Sequence, residues 1–393
     1  MNKKSNKNRF VNWVDGMKIN KSHFIQTDIA TQSLIEQLGL AVVSDTKYGL
    51  LPLPDADRKD QKSLINVEIN ARQEVVVQIT GCKAITRGGL LIDISQEDIS
   101  LLNEGGVSTT LSQRVDAFSN NESILYILLN ISTDEYIPVG EFIDKEHPPR
   151  HPFLLPKFSL SFIEEKSLSK SYLGANYLMV GKLILDSVGN PVLDEYYIPP
   201  CYSVQSHEDL AFIHVQCVRF FVNMEKYCLK IIQKIRSKKQ TNPLAEMVLE
   251  ISNTLWKHIS VVKNEYEEID AHRSGVFMVT KFSGIASLLR NHIDMFIGSG
   301  KEELITYFVS WTDYTQVDFE RLVDNTADIT YKHHDINEAV ETIKPFIQEI
   351  SALFKKLDEL DFIGQKDDSG IFVKEEVVVK QDVKQRRRFL FDD

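Results

Sequence analysis

The stretch YYIPPCYSVQSHEDL, residues 196 to 210, divides the chain into two kinds of sequence. Pro199 and Pro200 cannot donate to a strand ladder, and they bias the residues before them towards extended backbone. Ser206 and Asp209 have the capping-box spacing that opens an α-helix. The stretch therefore predicts that strands end and helices begin here.

The residues before this boundary have the turn residues and short apolar runs that are typical of a β-domain. Ten of the 12 prolines precede residue 201, and short β-branched or apolar runs alternate with Gly, Asn, Asp and Pro. This pattern predicts an N-terminal β-sandwich over residues 1–203, interrupted by an early helix over 28–38. The predicted strands are 66–80, 90–94, 124–131 and 177–186. The proline-rich segment 147–156 is predicted to be a connector or a contact arm, because proline is excluded from interior strands.

The residues after the boundary carry an apolar stripe at helical spacing. Its members are Leu210, Ile213, Cys217, Phe220, Phe221, Met224, Cys228, Ile231 and Ile235. The stripe predicts a long helix over 207–237, and Asn242 followed by Pro243 predicts the start of a second helix that completes a hairpin. Further helices are predicted at 277–297, 301–312, 316–327 and 335–361, the last kinked or broken at Pro345.

The length of this stripe predicts oligomerisation. A stripe that long on few helices is typical of a bundle shared between copies of a chain, so we assign its residues from Leu210 to Ile231 to the core of a homotrimer. The resulting fold class is α+β and multidomain. A β-sandwich shell over 1–203 precedes a helical bundle neck over 204–361 and a short C-terminal segment over 362–393.

Composition excludes several classes of function. The 393 residues contain 43% hydrophobic and 26% charged residues, which is ordinary for soluble globular proteins. A formal net charge of −11 argues against nucleic-acid binding. No apolar run reaches the roughly 20 residues of a membrane span, and no apolar segment follows the cationic N-terminus, so we expect a cytoplasmic protein. The four cysteines are predicted to be free thiols in the core.

No catalytic or cofactor motif is present. His333, His334 and Asp335 are ligand types, but adjacent residues point apart on a helix, and we interpret Asp335 as a helix-start residue. The glycine pairs lack phosphate-loop spacing and predict turns. We therefore expect no cofactor, no metal and no enzymatic activity. Of the three hypotheses for function, an uncharacterised enzyme ranks last, after the two given below. It would require a pocket with perturbed titratable groups.

The stretch VNWVDGMKINKSHFIQTD, residues 11 to 28, is unusual for a chain terminus because it concentrates Trp13, Gly16, Met17, His23 and Phe24. One interpretation is that the aromatic rings are buried in the adjoining core. The other is that the five residues bind a partner.

The order of residues in this stretch resembles the opening of the TssK family of type VI secretion baseplate proteins, Trp-x-Glu-Gly-Met-x-Leu-x-Pro-Gln-His-Phe-x-Gln-x-Asp. Gln26 and Asp28 also match, and Lys21 and Ser22 depart from the usual Pro-Gln. DEYYIPPCYSVQSHEDL at 194–210 resembles the family's transition from β-domain to helical neck, and YKHHDIN at 331–337 resembles its Tyr-x-His-x-Asp segment.

The resemblance implies a function and a set of partners. It implies a homotrimeric baseplate adaptor with a phage receptor-binding-protein-like shoulder domain, whose N-terminal side binds the TssF and TssG wedge proteins and whose C-terminal side faces a membrane-anchoring complex. Trp13, Gly16, Met17, His23 and Phe24 are then wedge-binding residues. The alternative is a phage-like receptor-binding adaptor of a related contractile injection system.

The C-terminus departs from the family, because only 32 residues follow Asp361, where the family usually has a head domain. We expect a missing or reduced head. The segment RRRFLF, comprising Arg386, Arg387, Arg388, Phe389, Leu390 and Phe391, combines cations with an apolar anchor. It is either a solvated tail or the docking segment for the membrane-side partner.

Overall fold

The protein is described by a computed structural model that covers residues 9–53, 64–70, 72, 74–114, 124–168, 174–185 and 190–364. Residues 386–391, the predicted docking segment, lie outside the described residues.

The fold is mixed α and β. Ten strands are described: β1 Gly49–Leu50, β2 Ile65–Ile69, β3 Glu74–Ile79, β4 Cys82–Ile85, β5 Leu91–Ile94, β6 Thr110–Arg114, β7 Ile124–Val139, β8 Phe153–Glu164, β9 Tyr177–Leu185 and β10 Pro191–Leu193. Eight α-helices are described: α1 Lys21–Val42, α2 Gln96–Glu104, α3 Glu208–Ser237, α4 Pro243–Glu268, α5 Gly275–Asp294, α6 Lys301–Val309, α7 Gln316–Ala327 and α8 Ile336–Glu359.

The strands form three antiparallel sheets. Their orders are β1-β4-β5, β2-β3-β6 and β10-β9-β7-β8. The predicted strand 66–80 is in fact the hairpin β2–β3, because Asn70 turns the chain and its side-chain oxygen accepts the backbone N–H of Glu74 at 3.0 Å. The proline-rich segment ends in β8 at the margin of its sheet, where the missing N–H of Pro156 is tolerated. Sandwich packing of these sheets stays a prediction.

The chain divides into two compact units. The first comprises Met1–Val215, Glu267–Thr280 and Thr330–Glu341, and it contains all ten strands. The second comprises Gln216–Tyr266, Lys281–Ile329 and Thr342–Asp393, and its described elements are helical. A bundle arrangement of the helices stays a prediction.

The boundary segment 196–210 is fixed by backbone contacts to β1 within the first unit. The N–H of Leu50 donates to the carbonyl of Pro200 at 2.8 Å, and the N–H of Tyr202 donates to the carbonyl of Leu50 at 2.9 Å. A Cβ added to Gly49 would lie 1.9 Å from the carbonyl oxygen of Pro200, so only glycine allows this approach. The diproline turn is thereby joined to the start of the first sheet.

The predicted cap of α3 is wrong in detail. Ser206 closes a short 3₁₀ turn with Ser203, and their side-chain oxygens are 3.0 Å apart. His207 Nδ1 instead accepts the N–H of Asp209 at 3.3 Å, at the first turn of the helix. The predicted and the observed helix start agree within one residue, and only the capping side chain differs.

The prediction that three copies of the chain cover the stripe of α3 is wrong. All eight residues assigned to a trimer core are buried within a single chain, namely Leu210, Ile213, Cys217, Phe220, Phe221, Met224, Cys228 and Ile231. In the second unit, the ring centroids of Phe220 and Phe221 lie 5.6 and 5.4 Å from that of Phe282 on α5. Tyr266 of α4 and Phe346 of α8 complete the aromatic cluster. A homotrimer therefore needs another contact surface.

Specific side chains form hydrogen bonds with the backbone groups that lack helical partners at the ends of the long helices. Asn242 caps α4 as predicted, because its Oδ1 accepts the N–H of Ala245 at 2.8 Å. Lys234 of α3 donates to the carbonyls of Leu357, Asp358 and Leu360, which α8 leaves without helical partners at its C-terminus. Burial lowers the pKa of this amine to about 8. Of the predicted kink or break of α8 at Pro345, the break is absent, since the helix continues through the proline.

The burial of the stripe yields a stability prediction. We expect Phe221→Ala to lower the free energy of unfolding by about 3–5 kcal/mol, because Phe221 is 1% exposed and truncation leaves a cavity. Val261→Ala is the control, since Val261 on α4 is 78% exposed and should change stability by less than about 0.5 kcal/mol. Urea unfolding measures both. Equal effects of the two substitutions would contradict the assignment of the stripe to the core of one chain.

Candidate functional site

Three of the five predicted wedge-binding residues, Trp13, His23 and Phe24, are in ring contact at the N-terminus. We call the five residues together the N-terminal surface: Trp13, Gly16, Met17, His23 and Phe24. The Trp13 ring lies 6.0 Å from that of His23, edge-on, and 6.2 Å from that of Phe24. Trp13 is 49% exposed and Phe24 is 57% exposed. In this chain the two aromatic rings are therefore not core residues.

Local hydrogen bonds hold this surface in shape. Gly16 has φ +77°, and the N–H of Met17 donates to the carbonyl of Val14 at 3.1 Å across the turn. Asn20 caps α1 by accepting the N–H of Ser22 at 2.9 Å, and His23 Nδ1 accepts the N–H of Asn20 at 3.3 Å. A histidine thus fills the capping-box position that Glu or Gln usually occupies. Lys21 and Ser22 are compatible with this helix start.

Helix α1 continues from the N-terminal surface and is fixed to the first unit by small residues. Ala30 and Ser33 are buried, and Gln32 Oε1 accepts the hydroxyl of Tyr136 at 2.6 Å. A Cβ on Gly39 would lie 2.0 Å from the carbonyl oxygen of Gly89, so the two backbones are in direct contact. The helix is longer than the predicted 28–38, and its large apolar side chains, including Ile35 and Leu38, are exposed.

The KHHD segment, residues 332–335 of the stretch YKHHDIN, packs within the first unit. Asp335 accepts hydrogen bonds from the Lys182 ammonium at 2.7 Å and from the Tyr126 hydroxyl at 3.1 Å. Burial lowers the pKa of Lys182, but its bonds to Asp335 and Asp194 outweigh burial and leave that pKa above its usual value. Burial and the Asp335 charge both raise the pKa of Tyr126. Asp335 is therefore a buried ion-pair partner and more than a helix-start residue.

His333 is locked in one neutral form. Its Nε2 lies 3.0 Å from the carbonyl oxygen of Tyr48 and must donate to it, so Nδ1 accepts the hydroxyl of Tyr331 at 2.7 Å. Burial lowers the pKa of His333 to about 4. Within the described residues, no group of three or more His, Cys, Asp or Glu side chains is placed to hold a metal ion.

A crevice of about 370 Å³ lies in the first unit between β1, β10 and the start of α3. Leu50, Leu53 and Ile65 contribute apolar walls, and Asp194 and His207 are among its polar residues. Burial lowers the pKa of His207. Because His207 bonds to the first turn of α3 and Ser206 bonds to Ser203 in the preceding 3₁₀ turn, their side chains act in local structure.

The comparisons with known proteins give structural likeness only. No protein-family model matches the chain, and no curated protein matches its sequence. A crystal structure of TssK is similar over 88% of this chain and 69% of that one, with 13% identity and a TM-score of 0.44. TssK from the EAEC type VI secretion system, bound to nanobody nb18, is similar over 85% of this chain and 99% of that one, with 11% identity and a TM-score of 0.41. A chain of the type VI secretion TssK-TssF-TssG baseplate subcomplex is similar over 88% of this chain and 98% of that one, with 11% identity and a TM-score of 0.40.

No helix among the described residues is long and apolar enough to span a membrane.

The neutral His333 gives a pH prediction. Between pH 6.5 and about 4 the unfolded chain binds a proton at this histidine that the folded chain does not, so stability falls as pH falls through this window. The full effect is about 3 kcal/mol. We expect His333→Gln to remove this part of the pH dependence, as measured by urea unfolding at pH 7 and pH 4.5. An unchanged slope in the variant would show that His333 does not titrate in this way.

Proposed function

We propose that this protein is a structural component of a type VI secretion baseplate, with the adaptor role of TssK. One observation carries the proposal. Trp13, His23 and Phe24, which match the TssK opening, form an aromatic cluster in which the two large rings are exposed, although large aromatic residues are usually buried. Such a surface is typical of a protein-binding hot spot. The partners on this side are proteins equivalent to TssF and TssG.

The second part of the proposal is a homotrimer. The stripe that faces the chain's own core cannot supply the contact, so an exposed surface must. Val215, Val222 and Leu229 are exposed on α3 at seven-residue intervals, the repeat of a helical seam between chains. Valine is a weak helix former, so its repeated use at exposed helical positions is consistent with a contact. We assign the contact between copies to this face of α3.

The third part concerns the C-terminal side. The pairing of Arg386, Arg387 and Arg388 with Phe389, Leu390 and Phe391 is a prediction from sequence. In the proposed role these residues bind the membrane-anchoring complex, with the arginines increasing the association rate and the aromatic rings slowing dissociation.

Wedge binding is tested by co-purification of the tagged full chain with the TssF and TssG equivalents of its own system. Trp13→Ala combined with Phe24→Ala should reduce recovery of both at least tenfold, since each ring contributes more than about 1 kcal/mol at a hot spot. Tyr196→Ala is the control, because Tyr196 is a more exposed aromatic residue outside the N-terminal surface. Undiminished recovery with the double variant would sink the proposed role of this surface.

The trimer is tested by sedimentation of the purified full chain. Val222→Asp with Leu229→Asp should convert trimer to monomer without loss of helicity, because the charges are introduced at exposed positions. Val261→Asp is the matched control at an exposed position on α4. A wild-type monomer at micromolar concentration contradicts the trimer, and a trimer that survives the double substitution contradicts the assigned face.

A further inference from the structure

Helix α1 presents an outward seam that the described part of the chain leaves exposed. Residues on one side of the helix follow at alternating steps of four and three, which is the spacing of a coiled-coil interface. They are Phe24, Asp28, Thr31, Ile35, Leu38 and Val42, and all six are exposed. We call this row the α1 seam. Ile35 is 54% exposed and Leu38 is 62% exposed, whereas the opposite side of the same helix buries Ala30 and Ser33.

The seam is held outward by the way α1 is attached. The backbone contact between Gly39 and Gly89 leaves no room for the helix to roll, because even a Cβ on Gly39 would lie 2.0 Å from the Gly89 carbonyl oxygen. The hydrogen bond between Gln32 and Tyr136 fixes the middle of the helix. The small side of α1 therefore faces the first unit, and the large apolar side chains of the seam stay in solvent.

The charged residues of α1 indicate which kind of helix can bind the seam. Asp28 lies at a seam position, and Lys21 is the only lysine or arginine of α1. Parallel pairing with a second copy would place Asp28 against Asp28, which is unfavourable. Antiparallel pairing would place Asp28 against Leu38 when the two seams overlap over their full length. Lys21 of one copy would face Asp28 of the other only in a shifted register, in which the two helices overlap by just one or two turns. A second copy of α1 therefore does not fit.

We infer that the α1 seam binds an amphipathic α-helix of another protein, which packs its own row of apolar residues on Ile35, Leu38 and Val42 and places a lysine or arginine against Asp28. The seam is continuous with the N-terminal surface, because Phe24 belongs to both. That this helix belongs to a wedge protein rests on the proposed function. The apolar row and the cation expected of the helix rest only on the residues of the α1 seam.

The contact is tested by photocrosslinking in cells of the source organism. The full chain carries p-benzoylphenylalanine at position 35 or 38, and position 29 is the control, because Ile29 is an exposed isoleucine of α1 that lies off the seam. We expect at least tenfold more product from positions 35 and 38 than from position 29. Mass spectrometry should place the attachment in a helical segment of another protein with apolar residues at three- and four-residue steps and a nearby lysine or arginine.

Three results would overturn the inference: attachment to any segment of a second copy, attachment to a segment without that helical pattern, or equal product from the control position. Once the helix is known, its synthetic peptide can be titrated against the purified full chain. Ile35→Asp with Leu38→Asp should weaken binding about a hundredfold, and Ile29→Asp less than threefold.

A charge exchange tests Asp28. Asp28→Lys should weaken binding about tenfold, and replacing the facing cation of the peptide by glutamate should restore it. Failure to restore binding would contradict the pairing at Asp28.

The outcome also separates this inference from the proposed function. If the wedge proteins co-purify equally with wild type and with the Ile35→Asp, Leu38→Asp variant, the baseplate role stands and the seam is not its contact. If wild type crosslinks into such a helix but does not recover the wedge proteins, the seam stands and the baseplate role fails.

Discussion

The buried carboxylate of Asp335 is the constraint on which the first unit depends. A charge removed from water is tolerated only when it is paired and hydrogen-bonded, and the two partners of Asp335 come from β7 and β9, 209 and 153 residues away. The segment 331–335 therefore reaches its folded position only when these strands have paired. Tyr197, which donates to the carbonyl of His334 at 2.7 Å, adds the diproline boundary to the same assembly. Residues that look like separate motifs in the sequence are one cooperative structure.

Periodicity predicted the helices well, because apolar residues repeated at three- and four-residue steps share one face only in a helix. The predicted 207–237 and 316–327 match α3 and α7 within one residue, and Asn242 caps α4 as expected. All four cysteines are buried free thiols, as predicted. The partner of the stripe was not predictable in the same way. Amphipathicity states that a face must be covered, but a face covered by the same chain and a face covered by another copy have the same sequence pattern.

Side-chain partners that are distant in sequence were beyond prediction. Asp335 of the KHHD segment was interpreted as a helix-start residue, because adjacent residues point apart and nothing near them in sequence marks Lys182 or Tyr48 as partners. Pro345 was expected to kink or break its helix. A break is absent, because buried residues on both sides of it, including Phe346 and Ile343, give α8 enough packing to continue. For Trp13 and Phe24 the residue types alone favoured the core, and only the resemblance to the TssK opening favoured the surface. The exposed position of both rings decides the question for this chain.

The attachment of α1 explains why its apolar residues stay available. A helix normally buries its large side chains and leaves its small ones outside, because burial of apolar area is the main favourable term in folding. In α1 the close approach at Gly39 and Gly89 requires the reverse, and the first unit gains a tight backbone contact while Ile35 and Leu38 remain hydrated. A partner that covers them gains the hydrophobic free energy that folding left unused. Because the helix is already formed and fixed, that partner loses little of this gain to the ordering of α1.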